Sequence, residues 1–268
     1  MLEEQQSLEQ SKYSQVIQPT DREAILYICH GSRLKQAQEQ ATAFVQALMS
    51  EKLAPIQEYC FLELAQPTIE EAFRACVEKG ATKIIAIPLL LLTAAHAKED
   101  IPNELIAIKK KYPNIHVAYG QPIGVHRSIS TILHERIIET KHSFSSDSMV
   151  LLIGRGSSDP EVKQDLSQIA QLLKQHLQID RVDISFLVAA KPSLKEALHI
   201  VQDTHYKKVF VIPYLLFTGV LMNKIDKIIR EHNEQTDQDI ILCKYLGYHP
   251  ILTKIIKDRV IEAQKLPE

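Results

Sequence analysis

The four cysteines of this 268-residue chain, Cys29, Cys60, Cys76 and Cys243, are too scattered to make a single C-x-x-C pair. That spacing argues against a zinc knuckle or an iron–sulfur cluster, and buried, reduced thiols are expected instead. Neither a P-loop nor a G-x-G-x-x-G stretch is present, so no motif for a nucleotide is found. Long hydrophobic runs are missing too: the longest, Ile84–Ala95, is broken by Pro88 and is too short to span a bilayer. The polar, acidic stretch ahead of Ala24 has no apolar core, which predicts no secretory signal and a cytoplasmic location. A surplus of positive charge is also lacking. The net charge of −2 gives no bulk electrostatic reason to bind nucleic acid or an anionic membrane, although a local basic patch could take a small polyanion.

What is there, at 45% hydrophobic and 24% charged residues, is ordinary for a soluble globular chain. Residues 1–22 read as a tail without apolar periodicity. Ala24–Cys29 then reads as a strand, and Lys35–Lys52 as a helix with Ala37, Ala41, Phe44, Val45 and Leu48 on one face. Pro55–Leu62 is the next strand, and Pro67 is placed in the first turn of a helix reaching Lys79 and stopping at Gly80. Strand Lys83–Pro88, a loop carrying His96, a helix to Tyr112, strand Ile115–Tyr119 and helix His126–Glu139 complete the series. Strands alternating with helices predict right-handed crossovers and a parallel sheet covered by helices. The Ser- and Asp-rich stretch 141–148 reads as a linker between domains 23–140 and 149–268.

After the linker the order recurs. A shift of 125 residues brings Leu26, Ile28, Gly31 and Ser32 onto Leu151, Ile153, Gly156 and Ser157, and six of the eleven residues of Lys83–Thr93 are identical to Lys208–Thr218. Gly124 and His126 meet Gly247 and His249 after a two-residue slip. Two similar α/β domains, facing each other across a cleft, are expected.

The repeat acts as an internal control, because what the fold demands should appear twice and what chemistry demands need appear once. His30 meets Arg155, Glu63 meets Val188, and His96 meets Leu221, so three possible ligands exist in the first half only. Each falls at the end of a successive strand, 33 residues after the last, and ligands of parallel sheets bind at the carboxyl ends of strands. Two imidazoles and a carboxylate suit Fe²⁺, Co²⁺ or Zn²⁺ better than Mg²⁺ or Ca²⁺. His126 and His249 occur in both halves and are given a structural role on the same ground.

The segments HGSR (His30–Arg33), FLELAQPTIEEAF (Phe61–Phe73), PLLLLTAAHAKEDIP (Pro88–Pro102), GRGSSDP (Gly154–Pro160) and PYLLFTG (Pro213–Gly219) together resemble the long form of the bacterial sirohydrochlorin chelatases. These are class II tetrapyrrole chelatases with two chelatase-like α/β domains, and the resemblance covers Ala24–Val260. It implies insertion of Fe²⁺ into sirohydrochlorin, or of Co²⁺ on the route to cobalamin, with the metal as substrate and no organic cofactor. It also implies His30 and His96 as catalytic, metal-handling residues and Glu63 as the third metal contact. The His-rich stretch and the cysteine motif of some relatives are absent here, so those accessories are not expected.

A flat, carboxylate-rich ring needs an apolar cleft with basic groups at its rim. Arg33, Lys98 and Arg155, with Ser32 and Ser157 as donors, are the candidates. For Arg155 an inter-domain salt bridge is the competing reading, and for Lys98 a solvated position at a helix start. Two other functions stand beside the ferrochelatase: a cobaltochelatase, and a metal-binding protein without catalysis, which would need the ligands but no ring-sized cavity.

Overall fold

The computed structural model describes residues 22–266, so the expected tail lies outside the described residues apart from Arg22. Among those residues, two four-stranded parallel sheets account for all the named strands. The first is built from β1 (Glu23–Cys29), β2 (Ile56–Phe61), β3 (Lys83–Pro88) and β4 (His116–Tyr119), in the order β2-β1-β3-β4. The second repeats it with β5 (Ser148–Gly154), β6 (Val182–Phe186), β7 (Lys208–Pro213) and β8 (Asp239–Leu242), in the order β6-β5-β7-β8. The helices are α1 (Lys35–Met49), α2 (Ile69–Glu78), α3 (Ile101–Lys111) and α4 (Ile129–Ile138), then α5 (Pro160–Leu177), α6 (Leu194–Gln202), α7 (Val220–Asn233) and α8 (Pro250–Gln264). The expected α/β architecture is therefore found in both halves. No helix among the described residues is long and apolar enough to cross a membrane.

Strand β1 is buried along its whole length, as the central strand of a parallel sheet must be. Its alternate residues go to different cores, because side chains of a strand point to opposite faces. Ala24, Leu26 and Ile28 pack outward with Phe73 of α2 and Leu105 of α3. Ile25, Tyr27 and Cys29 pack inward, into a core that also holds Val150, Leu152, Phe210 and Ile212 of the second sheet. One continuous core thus joins the two halves.

The last helix of each half crosses to the other. Helix α4 packs on β7 and α5 of the second half, and α8 packs on β3 and β4 of the first. Reciprocal hydrogen bonds fix the exchange: Arg136 donates to the Leu246 carbonyl at 2.6 Å, and Arg259 donates to the Pro122 and Ile123 carbonyls, both at 3.0 Å. Hydrophobic periodicity shows that a helix buries a face but not which sheet receives it. Since each half completes the other's core, fragments 23–140 and 149–268 are expected not to fold alone and to recover a cooperative thermal transition when mixed. A cooperative transition from either fragment as a monomer would contradict the exchange.

Three local expectations need correction. Pro67 is not in the first helical turn: it follows a cis peptide, and Thr68 caps α2 in a capping box with Glu71, matched by Ser193 and Glu196 after the cis Lys191–Pro192 bond. The reciprocal capping bonds satisfy two otherwise orphaned helix donors, which fixes Thr68, one residue past the proline, as the N-cap. His96 does not sit in a loop but opens a π-helical turn, His96–Asp100, that runs into α3. His126 precedes α4 by a turn and accepts the Ser128 N–H at 3.2 Å, whereas His249 is itself the N-cap of α8.

Candidate metal centre

His30, Glu63 and His96 follow β1, β2 and β3 at one edge of the first sheet, where the order β2-β1-β3 reverses the direction of winding. Their approach depends on backbone contacts between the loops. Leu62 N–H donates to Cys29 O at 2.8 Å and Glu63 N–H to His30 O at 3.1 Å, which prolongs the β1–β2 pairing beyond the strands. Gly31, at φ +97°, lies so close that a Cβ there would fall 1.7 Å from the Glu63 carbonyl oxygen. Gly156 repeats this against Val188, at φ +92° and 1.9 Å, where no ligand exists. The turn belongs to the fold, and the three possible donors are added to it.

The result is a compact donor set. One ligand atom from each of the three residues lies within 4.8 Å of the others. The His30 and His96 rings meet edge to face, with centroids 4.9 Å apart, and His30 Nδ1 lies 3.7 Å from Glu63 Oε1. Nδ1 of His30 is 3.2 Å from the Gly31 carbonyl, which can only accept, so Nδ1 donates and Nε2 keeps its lone pair. That Nε2 is buried and has no hydrogen-bond partner. An orphaned imidazole nitrogen beside a second imidazole and a carboxylate fits a borderline divalent cation.

Burial, the largest influence, holds His30 below the ordinary imidazole value. The Gly31 carbonyl and Glu63 pull the other way, while His96 and Arg155 add to the lowering. A carboxylate neighbour on its own would favour the imidazolium, but desolvation outweighs it, and the balance favours the neutral ring. His96 is held by Asp100, whose Oδ2 lies 2.6 Å from its Nδ1, four residues along the π turn. The Tyr119 hydroxyl donates to Ala97 O at 2.9 Å and fixes that turn to β4.

The centre opens into a cavity of about 460 Å³ bounded by both halves. His30, Arg33 and His96 line it on one side, Arg155, Phe217 and Leu221 on the other, within a mostly aliphatic wall. A larger groove of about 910 Å³ runs between α1 and α8, but none of the three ligands reaches it.

The rim candidates divide. Arg33 and Arg155 are exposed at the cavity, and among the described residues Arg155 forms no ion pair, so the inter-domain salt bridge is not formed. Ser32 and Ser157 also line it; their hydroxyl oxygens accept the Leu34 and Asp159 N–H groups, both at 3.1 Å, and leave each O–H free to donate. Lys98 does not line the cavity. Its ammonium bridges the halves to Asp159 at 2.9 Å and Glu161 at 2.7 Å, and those bonds raise its pKa, with Glu161 first.

Two further residues were not singled out from the sequence. Asp100 stands four residues after His96, a spacing that would have signalled contact had the segment been read as helical. Tyr214, which replaces Leu89 of the first half, is buried in the cavity wall with no partner for its hydroxyl, and burial raises its pKa.

The CbiX family profile matches residues 24–140 and again 149–263, so each half is one copy. Sirohydrochlorin ferrochelatase of Priestia megaterium is 53% identical over 238 residues, covering 89% of each chain. The sirohydrochlorin cobaltochelatase of the same organism is 34% identical over 244 residues, covering 89% of this chain and 79% of that one. Among solved structures, SirB from Bacillus subtilis with Fe³⁺ superposes with a TM-score of 0.85 at 41% identity, covering 91% of this chain and 96% of the other. With both halves matched by one profile and these relatives alike over nearly their whole length, the chain belongs to the CbiX family.

Proposed function

We propose that this protein is a sirohydrochlorin ferrochelatase: it inserts Fe²⁺ into sirohydrochlorin in the cytoplasm, forming sirohaem and releasing two protons. The observation that carries the reading is the His30–Glu63–His96 set, three donors within 4.8 Å of one another, opening into an apolar cavity walled by both halves. A carrier needs only the ligands. An enzyme also needs room for the ring beside them, and an open, apolar cavity walled by both halves adjoins the three donors.

In this account Nε2 of neutral His30, an imidazole nitrogen of His96 and a Glu63 oxygen hold the ion on one face of the bound ring. As the ion passes to the pyrrole nitrogens, the two N–H protons of the ring leave, and the imidazoles freed of metal are the bases placed to take them. Asp100 fixes the orientation of His96. Arg33 and Arg155 meet carboxylates of the ring, with Ser32 and Ser157 as hydroxyl donors, and Lys98 clasps the cleft from outside.

Asp100→Asn removes the charge behind His96 but keeps the shape of the side chain. Metal affinity is expected to fall by roughly 10- to 100-fold, the usual cost of losing a partner that orients a ligand, as read by competition with a chelator. Unchanged affinity would remove Asp100 from the site. Arg155→Ala is expected to raise KM for the tetrapyrrole with kcat nearly unchanged, since it deletes binding common to ground and transition states; an equal fall in kcat and kcat/KM would place Arg155 in the chemistry instead.

The second reading, Co²⁺ insertion, is favoured by one observation, the likeness to a cobaltochelatase, and the donor set takes either ion. A paired anaerobic assay of the purified protein with sirohydrochlorin and either Fe²⁺ or Co²⁺, followed by the absorbance of the ring, decides. Faster turnover with Fe²⁺ supports the proposal, faster turnover with Co²⁺ favours the second reading, and none with either leaves a metal-binding protein.

A further inference from the structure

Corresponding positions of the two halves bring polar side chains together, with different chemistry at each. His134 on α4 meets His176 on α5, with Nδ1 of the first 3.2 Å from Nε2 of the second and the ring centroids 5.2 Å apart. Under the repeat, at 123 residues for the fourth helix and 125 for the first, His134 corresponds to Lys257 and His176 to Glu51. Lys257 and Glu51 also meet, as an ion pair between α8 and the turn that follows α1. The repeat therefore keeps a polar contact at these positions but does not require imidazoles.

We propose that His134 and His176 form a second cation site, which binds a borderline divalent ion and ties α4 of the first half to α5 of the second. Two nitrogens about 2.05 Å from a tetrahedral ion stand about 3.3 Å apart, so the observed separation already suits a shared ion. In the metal-free protein one ring donates its N–H to the lone pair of the other. For an ion to enter, that hydrogen moves to the far nitrogen of its own ring, and both near nitrogens then present lone pairs while both rings stay neutral.

Neither ring has another hydrogen-bond partner among the described residues, so no existing bond opposes the exchange. Burial, and after it the neighbouring His176, lowers the proton affinity of His134, which keeps it available as a ligand at neutral pH. Two imidazoles with water in the open positions favour Zn²⁺, Ni²⁺, Cu²⁺ or Co²⁺ over Mg²⁺ and Ca²⁺. This site lies on helices between the sheets, not at the strand ends, and it stands whether or not the cleft is a chelatase centre.

Zn²⁺ is the probe, with bound metal counted by equilibrium dialysis and thermal unfolding followed in parallel. The wild type is expected to bind two ions per chain. A His30→Ala/His96→Ala variant is expected to keep one and to melt several degrees higher with excess Zn²⁺, because a ligand that binds only the folded state stabilises it. Adding His176→Ala to that variant should remove the last ion and the Zn²⁺-dependent rise while leaving the metal-free melting temperature nearly unchanged, since His176 is exposed. His134→Gln should do the same. No ion retained by the double variant, or an ion retained after His176 is removed, would overturn the proposal.

Discussion

Replacing His96 with alanine is expected to lower metal insertion by about 10³-fold or more, the combined loss of a ligand and of a proton acceptor, while the protein still melts cooperatively near the wild-type temperature. His96 is half-buried and its ring bonds only to Asp100, so the fold loses little. His30→Ala is expected to cost nearly as much activity. Its Nε2 is buried and has no partner within the protein, so the ring is left with a donor atom for a metal. Single-turnover reactions followed by the absorbance of the macrocycle separate insertion from product release. Near-normal rates in either variant would remove that histidine from the chemistry.

Gly31→Ala is the second large effect, and it acts through the backbone. An added Cβ at φ +97° costs about 1–2 kcal/mol in conformation alone, and the 1.7 Å approach to the Glu63 carbonyl forces the two loops apart. Melting is expected to drop by at least about 4 °C, taking roughly 2–4 °C per kcal/mol for a chain of this size. Bound Fe²⁺ should be lost with it, because the moved carbonyl belongs to a ligand. Gly156→Ala provides the matched comparison: the clash with Val188 O is 1.9 Å, so stability should fall by a similar amount, but no ligand moves and metal binding at low temperature should survive. Equal retention of metal by both variants would show that the turn does not position Glu63.

The cluster of three possible donors was legible in the sequence chiefly because the chain carries its own control. His30, Glu63 and His96 stood out once Arg155, Val188 and Leu221 were found in their places, and parallel strands at regular spacing put all three on one edge. The strands themselves were readable because β1, β3, β5 and β7 are buried on both faces and apolar from their second residue on. What the sequence withheld is long-range or conformational. Nothing in the periodicity of α4 or α8 says that each docks on the other half's sheet, since an apolar stripe fits either core. The π turn that brings Asp100 onto His96 depends on a backbone widening that no residue preference marks. Lys98 looked like a substrate contact because it neighbours His96. In the structure it pairs with Asp159 and Glu161, some sixty residues away, which meet it only after the halves close on each other.

On this proposal one half supplies every metal ligand, and the other supplies cavity wall and substrate contacts but no ligand. Crystals grown with Co²⁺, examined by anomalous scattering at the cobalt edge, test it most directly. A strong peak about 2.0–2.2 Å from a nitrogen of His30, a nitrogen of His96 and an oxygen of Glu63, with none beside Arg155, Val188 and Leu221, is the predicted result. A cleft without density at the three ligands, or a peak at the matching place in the second half, would contradict the account.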